Sequence, residues 1–317
     1  MIKTWSTVGQ RATIGLVLLE LAKRCKDLFV ITADVSSSAG LDRFSRTFPD
    51  QFLDVGIAEQ NMIGVAAGIA DNGFKVVTTT FAPFQSLRCC EQIKVDLAYT
   101  NTNVSMIGLA SGLINGPLGN THCCVEDLGV LRSIPNLRLV SPADGLGVAR
   151  TLINCIEQPS PTYIRLTGGA GNPIVYQEDC NLVSNKAIQL RSGQDLTIFA
   201  SGSMVFQSLV VADLLSNHGL SASVWDMHTI KPIDESAVKM AASQTPLIVG
   251  VEEHNIIGGL SSAIAECLST YKNDTKFIPI GVRDVFLKPG NYEYMLKQSG
   301  LDPESISSKI LGALNIG

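Results

Sequence analysis

Two textures alternate along the chain. Short, mainly apolar runs that end in polar or turn-forming residues read as buried strands at 27–34, 73–80, 103–108, 137–144 and 161–166. Between them, longer segments with apolar residues on one face read as helices at 8–24, 85–100, 125–133 and 145–158. In the first of these, Ile14, Leu16, Leu18, Leu19 and Leu21 make the apolar face. Strand–helix alternation of this kind predicts a parallel, doubly wound sheet. Residues 168–190 are irregular and rich in Gly, Asn and Gln, which marks a domain boundary. The alternation then restarts, with strands at 195–201, 222–226, 246–251 and 277–284 and helices at 204–217, 234–243 and from Gly258-Gly259 onward. The expected fold class is α/β, built from two doubly wound three-layer domains. Residues 1–185 should carry a parallel sheet, and the smaller unit at 190–317 a mostly parallel one.

One stretch departs from the ordinary pattern. Asp54-Val-Gly-Ile-Ala-Glu-Gln-Asn-Met-Ile-Gly-Val-Ala-Ala-Gly-Ile-Ala70 holds the acid Glu59 inside a run of small and apolar residues. Gly56, Ala58, Gly64, Ala66, Ala67, Gly68 and Ala70 let a helix lie close to another backbone or a flat ligand. A carboxylate buried in such surroundings costs several kcal/mol, roughly, unless it is protonated or given a partner. Either Glu59 ends at the helix surface in solvent, or something specific meets it.

Candidate chemistry gathers where strands are expected to end. Asp34 closes the first strand and Val35-Ser-Ser-Ser-Ala-Gly40 follows it; polar residues there sit at a standard ligand position or simply form a solvated, capped loop. Phe81 and Phe84, around Ala-Pro, suit either an ordinary core or the wall of a flat heterocycle. The glycine-rich segment from Ala110 to His122 is long for a strand-to-helix connection, so a functional or mobile loop is expected. Of the four histidines, His122 and His254 are placed by the pattern on strand-to-helix loops, His218 at a helix end and His228 in a loop.

Composition removes several classes. The 317 residues are 45% apolar and 17% charged, with a net charge of −5 and no block of like charges, which argues against a nucleic-acid surface or a basic membrane face. Met1-Ile-Lys-Thr-Trp-Ser6 has no apolar core after its charge, so a secretory signal is not expected, and no apolar run reaches the ~20 residues of a membrane span. The eight cysteines have no C-x-x-C spacing and include the adjacent pairs Cys89-Cys90 and Cys123-Cys124. Reduced, mostly buried thiols in a cytoplasmic protein are expected, without a zinc site or disulfide framework. Dinucleotide, P-loop and nucleophile-elbow motifs are absent from the sequence.

Several weak motifs occur in one order. Ile57-Ala-Glu-Gln-Asn-Met62, Thr79-Thr-Phe-Ala-Pro-Phe84, Thr121-His122 with Val125-Glu-Asp-Leu128, and Arg132-Ser-Ile-Pro-Asn136 together resemble the pyrimidine-binding domain of transketolase. Asp226-Met-His-Thr-Ile-Lys-Pro-Ile-Asp234 and Val251-Glu-Glu-His-Asn255 resemble the transketolase C-terminal domain, so the likeness spans about residues 8–312. 1-Deoxyxylulose-5-phosphate synthase and the β subunits of 2-oxo-acid dehydrogenases share this plan, but the first and fourth motifs fit transketolase best. The resemblance implies thiamine diphosphate as cofactor, bound between a pyrimidine-side domain of one chain and a diphosphate-side domain of another. It places Glu59 against the aminopyrimidine ring, where a carboxyl kept protonated by apolar surroundings shares its proton with the ring nitrogen and favours the imino tautomer. Phe81 and Phe84 match the aromatic wall against that ring, and Glu59 and His122 are the implied catalytic residues. Carbon–carbon chemistry then belongs to the cofactor, and positioning to the protein.

The resemblance also defines what is missing. The Gly-Asp-Gly with a downstream Asn that holds Mg²⁺ and the phosphates does not occur, and Ala143-Asp-Gly145 is not followed by it. The implied reading is the C-terminal subunit of a split transketolase, with no metal ligand of its own. Its partner would be an N-terminal subunit carrying the Gly-Asp-Gly site and Mg²⁺, most simply in an α₂β₂ assembly. On the substrate side, Arg11, Asp34 and Ser38 fall at sugar-phosphate and hydroxyl contacts, and His122 near the donor's first hydroxyl. Three family positions differ: an acid before the histidine is Leu118, a phosphate-side histidine is Ala110, and a phosphate-binding arginine is Gly168, leaving Arg165 as the substitute. A modified sugar, or a carrier-bound or non-phosphorylated acceptor, is therefore expected in place of the ordinary pentose phosphates. The β subunit of a 2-oxo-acid decarboxylase and a non-catalytic partner subunit are the other readings.

Overall fold

The computed structural model describes residues 2–315 except Ala170, Asn181, Ser184 and Asn273. The expected domain ends at 1 and 317, and positions 170, 181 and 184 of the irregular 168–190 segment, lie outside the described residues. The first half runs α1 (Ile2–Arg24), β1 (Leu28–Thr32), α2 (Asp42–Thr47), β2 (Phe52–Asp54), α3 (Glu59–Asp71), β3 (Lys75–Phe81), α4 (Cys90–Gln92), β4 (Val104–Ser111), α5 (Asp127–Arg132), β5 (Arg138–Val140), α6 (Gly145–Glu157) and β6 (Thr162–Thr167). The second runs β7 (Ile188–Arg191), β8 (Leu196–Ala200), α7 (Met204–Ser216), β9 (Ala222–Asp226), β10 (Thr229–Lys231), α8 (Glu235–Gln244), β11 (Leu247–Asn255), α9 (Leu260–Ser269), β12 (Lys276–Val282), α10 (Tyr292–Ser299) and α11 (Pro303–Ala313). No helix among the described residues is long and apolar enough to cross a membrane.

Seven strands form one sheet in the order β10-β5-β6-β4-β3-β1-β2, and five form another in the order β12-β11-β8-β9-β7. The central strands are apolar on both faces because helices cover both; β4 and β6 are buried along their whole length. Ile14, Leu18, Ile164, Val249 and Ile280 belong to one core that passes from the first sheet into the second unit.

Several sequence expectations need correction. The strands of residues 1–185 pair in parallel as expected, but their sheet also takes in β10, which arrives from the second half of the chain and pairs antiparallel with β5. Lys231 fixes it by donating from Nζ to the carbonyl oxygens of Arg132 (2.8 Å) and Ile134. β2 is three residues long, too short to show a period, yet it pairs with β1 in parallel. The helix expected at 85–100 is broken into π-helical turns at Phe84–Arg88 and Ile93–Tyr99 around α4. Glu252-Glu-His254 lies inside β11 and not in a loop after it. α10 and α11 follow the last strand, each started by a side-chain cap, Asn291 and Asp302.

The segment joining the units is irregular but tied down. Asp144 Oδ2 accepts from the amides of Val175 and Tyr176, and the Tyr176 hydroxyl donates to Asp226 Oδ2 at 2.6 Å. The close approach of α1 to the 35–40 loop depends on one glycine: a Cβ on Gly15 would lie 2.0 Å from the Gly40 carbonyl oxygen. Gly15→Ala is therefore expected to destabilise the chain by about 1–3 kcal/mol, as overpacking does. Urea midpoints at an unchanged denaturant slope measure this, and a midpoint equal to wild type would show that the loop yields freely.

Candidate active site

The strand order creates a switch point. From β1 the chain steps outward to β2, then returns past β1 to β3, so the carboxyl ends of β1 and β3 flank the switch point where open α/β sheets take ligands. Asp34 follows β1, Phe81 ends β3, and Glu59 begins α3 just after β2. A carboxylate in a helix's first turn also faces the favourable end of its dipole.

Glu59 is 4% exposed. Arg88 Nη1 donates to its Oε2 at 2.8 Å, and the Arg88 guanidinium lies 4.1 Å over the Phe84 ring. Arg88, four residues on in the same helical stretch, falls on the same side as Phe84. Phe84 meets Phe81 edge-on at 6.4 Å and the His122 imidazole edge-on at 5.5 Å. Glu59, Phe81, Phe84 and His122, far apart in sequence, thus form one cluster through Arg88. The purely apolar niche expected for Glu59 is corrected: its burial is real, but a guanidinium meets it. Cys89 lies beside the pair, and its thiol is pushed up to about 12 by burial first and the Glu59 charge second. It is no nucleophile at neutral pH.

His122 is half-buried at the end of the glycine-rich loop, with Nδ1 3.0 Å from Thr121 Oγ1. The loop is not slack. Gly112 and Cys124 bridge its ends, and Glu253 Oε1 accepts from the Leu113 amide at 2.7 Å. Glu253 is 1% exposed, also accepts from the Tyr292 hydroxyl at 2.7 Å and from Ser203 Oγ, and is pushed up by burial.

Arg11 lies two residues past the break in α1 at Gly9 (φ 78°) and borders a cavity of about 320 Å³ with Ala110, Ile114, Leu166, Gly168 and Gly169. Burial lowers its pKa from the usual value. Asp34 is exposed in the left-handed region (φ 57°), its amide donating to Asp54 Oδ1 at 2.9 Å. Ser38 is exposed on the following loop, which lies against the Arg11 backbone at Gly40. No hydrogen bond or ion pair among the described residues joins Asp34 or Ser38 to the Glu59 cluster.

Arg165 is corrected as a substrate contact. It is 1% exposed, its Nε donates to both Asp127 carboxylate oxygens at 2.9 Å, and Nη2 donates to the Cys124 and Glu253 carbonyls. Those bonds hold the guanidinium inside the protein. His254 is likewise internal: Nδ1 donates to the Asn255 carbonyl at 2.6 Å and Nε2 accepts from the Gly129 amide at 3.3 Å. Sequence reasoning assigned no role to Arg88, Asp127 or Glu253, although Asp127 and Glu253 lie inside the Val125–Leu128 and Val251–Asn255 motifs, and Arg88 stands four residues beyond Phe84.

The profile of the transketolase pyrimidine-binding domain matches residues 6–172, and that of the transketolase C-terminal domain matches 185–306. A Phocaeicola vulgatus chain named as a subunit of an apulose-4-phosphate transketolase is 39% identical over 305 residues, 96% of this chain and 97% of that one. A Clostridium sp. chain named as a 6-deoxy-6-sulfo-D-fructose transketolase subunit is 37% identical, covering 93% and 91%. A solved structure titled "Split gene transketolase, inactive beta4 tetramer" superposes with TM-score 0.87 at 33% identity, covering 98% of this chain and 99% of that one. With both halves matched and relatives of its own length, the chain belongs to the thiamine-diphosphate-dependent transketolase family, as the C-terminal subunit of a split member.

Proposed function

We propose that the switch point at β1 and β3 is the pyrimidine half of a two-chain active site that moves a two-carbon ketol unit from a ketose to an aldose-type acceptor. The observation that carries this reading is the Glu59–Arg88–Phe84–His122 cluster at the switch point. Its donor set fits a flat aminopyrimidine: a buried carboxylate whose Oε1 has no hydrogen bond among the described residues, beside two aromatic rings. When bound, thiamine diphosphate supplies the carbon–carbon chemistry. Glu59 would face the ring nitrogen and share a proton with it, Phe81 and Phe84 would fix the ring's plane, and His122 would face the donor's first hydroxyl. Arg11, Asp34 and Ser38 take the sugar or sugar phosphate.

The rest of the site belongs to a partner chain bearing Gly-Asp-Gly and its Asn, which hold the diphosphate and Mg²⁺. Exposed apolar side chains support such an assembly: Ile57 is 78% and Tyr99 84% exposed, with Leu53 and Leu87 also exposed. Gly64 and Gly68 of α3 face open space, where another backbone fits closely. α₂β₂ is the simplest arrangement. Relatives at similar identity are named for different sugars, so neither sugar carries over. Apart from Arg11 and Gln10 the cavity is lined by Gly, Ala and aliphatic residues, and Arg165 does not reach it, which supports a modified sugar or a non-phosphorylated acceptor.

Mixing the chain with the diphosphate-side subunit, thiamine diphosphate and Mg²⁺ is expected to give ketol transfer, with neither chain active alone. Turnover by this chain unmixed would sink the two-chain reading. Full rates with xylulose 5-phosphate and ribose 5-phosphate in the mixture would dispose of the modified-sugar reading.

A further inference from the structure

We infer that Arg88 is the positioning residue that aims Glu59 at the cofactor ring, a role that rests on the function proposed above. Two observations converge on it. The guanidinium carbon sits over Phe84, 4.1 Å from the ring centroid, which anchors the cation beside the acid. From there Nη1 reaches Oε2 of Glu59 at 2.8 Å, a charge-assisted distance.

The pair is lopsided. The Arg88 side chain is 43% exposed while that of Glu59 is 5% exposed. An ordinary surface ion pair has two solvated ends and little consequence. Here the acid has left water and Arg88 donates to it, so without Arg88 the carboxylate keeps its burial and loses that partner. The single bond uses Oε2 and leaves Oε1 for a ligand. Phe84 is shared: one residue packs beside the ring and sets the cation that orients the acid. A wall residue and a relay acid are thereby locked into one geometry, so a shift of either moves both.

A competing picture uses the same contacts. A flat cation lying over Phe84 and bonded to Glu59 resembles the ring itself, and Arg88 would then be a placeholder that cofactor must evict. The two pictures predict opposite changes when the guanidinium is removed. Arg88→Met, Arg88→Lys, Glu59→Gln and wild type, each assembled with the partner subunit, separate them. The readouts are kcat, the dissociation constant of thiamine diphosphate by calorimetry, and the near-ultraviolet circular-dichroism band of the bound imino tautomer. For the chain alone, without cofactor, the Glu59 carboxyl resonance is followed by isotope-labelled NMR.

A positioning role predicts a loss of about 10²-fold in kcat for Arg88→Met, the size expected of a misplaced catalytic group. The imino band weakens, cofactor affinity stays near wild type, the Glu59 resonance shifts, and Arg88→Lys recovers part of the loss. Unchanged kcat with tighter cofactor binding overturns the role in favour of the placeholder. Unchanged values throughout reduce Arg88 to a surface pair and overturn it as well. If Arg88→Met does not fold, Arg88→Lys decides: its guanidinium plane is gone, so wild-type kcat and band in that variant also overturn the role. Should Glu59→Gln keep wild-type turnover, the proposed function itself fails; a dead Glu59→Gln beside a wild-type Arg88→Met removes only the part assigned to Arg88.

Discussion

Glu59→Gln, assembled with the partner chain, is expected to lower kcat at least ~100-fold, because an acid that relays a proton typically contributes 10²–10⁴. The substitution is chosen for what it spares. Glutamine has the same shape, and its amide oxygen still accepts from Arg88 Nη1, so the bond at 2.8 Å and the start of α3 have no reason to move. What disappears is a group able to gain and lose a proton against the ring. Urea unfolding of the chain should be near wild type while turnover collapses. A variant that folds, binds cofactor and turns over at the wild-type rate would assign this subunit a non-catalytic role.

The largest effect on stability is expected at Asp127. Its carboxylate is fully buried, accepts from Arg165 Nε through both oxygens at 2.9 Å, and accepts from the Tyr163 hydroxyl at 2.8 Å. Burial acts to lower the Arg165 pKa, but the Asp127 charge overrides it and the guanidinium stays charged. Burial, and then the same carboxylate, push the Tyr163 hydroxyl well above its usual value, so it remains a donor. Asp127→Ala strands a buried cation and should cost ~3–5 kcal/mol, a large part of a typical domain's total stability. Arg165→Met should be damaging for the mirror reason, leaving the buried acid without its cation and taking one donor each from the Cys124 and Glu253 carbonyls. Replacing both partners by apolar residues is expected to recover much of the loss. Chemical unfolding of the singles and the double measures this, and a loss under about 1 kcal/mol for Asp127→Ala would show the pair to be dispensable.

The sequence was legible where a physical period is long enough to see. Long buried strands such as β4 and β6 and the amphipathic α6 stand near their expected limits, whereas the three-residue β2 and β10 have no room for a period. The break-up of 85–100 into π-turns was invisible because stretches of 5 and 7 residues are too short to display a changed apolar period. Site legibility followed a different rule. Glu59 announced itself as one acid among small residues, but the gathering of Phe81, Phe84 and His122 around it is a product of topology, reached from sequence only through family resemblance. Arg165 misled because an arginine near a strand end serves a ligand or a buried acid equally well, and Asp127, 38 residues earlier, decides between them. His254 misled in the same way, since β11 runs four residues past its apolar core.

β10 makes the order of cutting matter. A fragment ending in the 168–187 segment would lose the strand that covers β5, leaving an open sheet edge ready to pair with other chains. The complementary fragment would carry Glu253 without the Leu113 amide it holds. Chimeras that exchange only the second half between relatives would therefore import a foreign edge strand and a foreign anchor for the His122 loop along with it. The heritable module in this chain is the pair of sheets together, and recombination that treats the linker as a seam should yield aggregates before it yields new specificities.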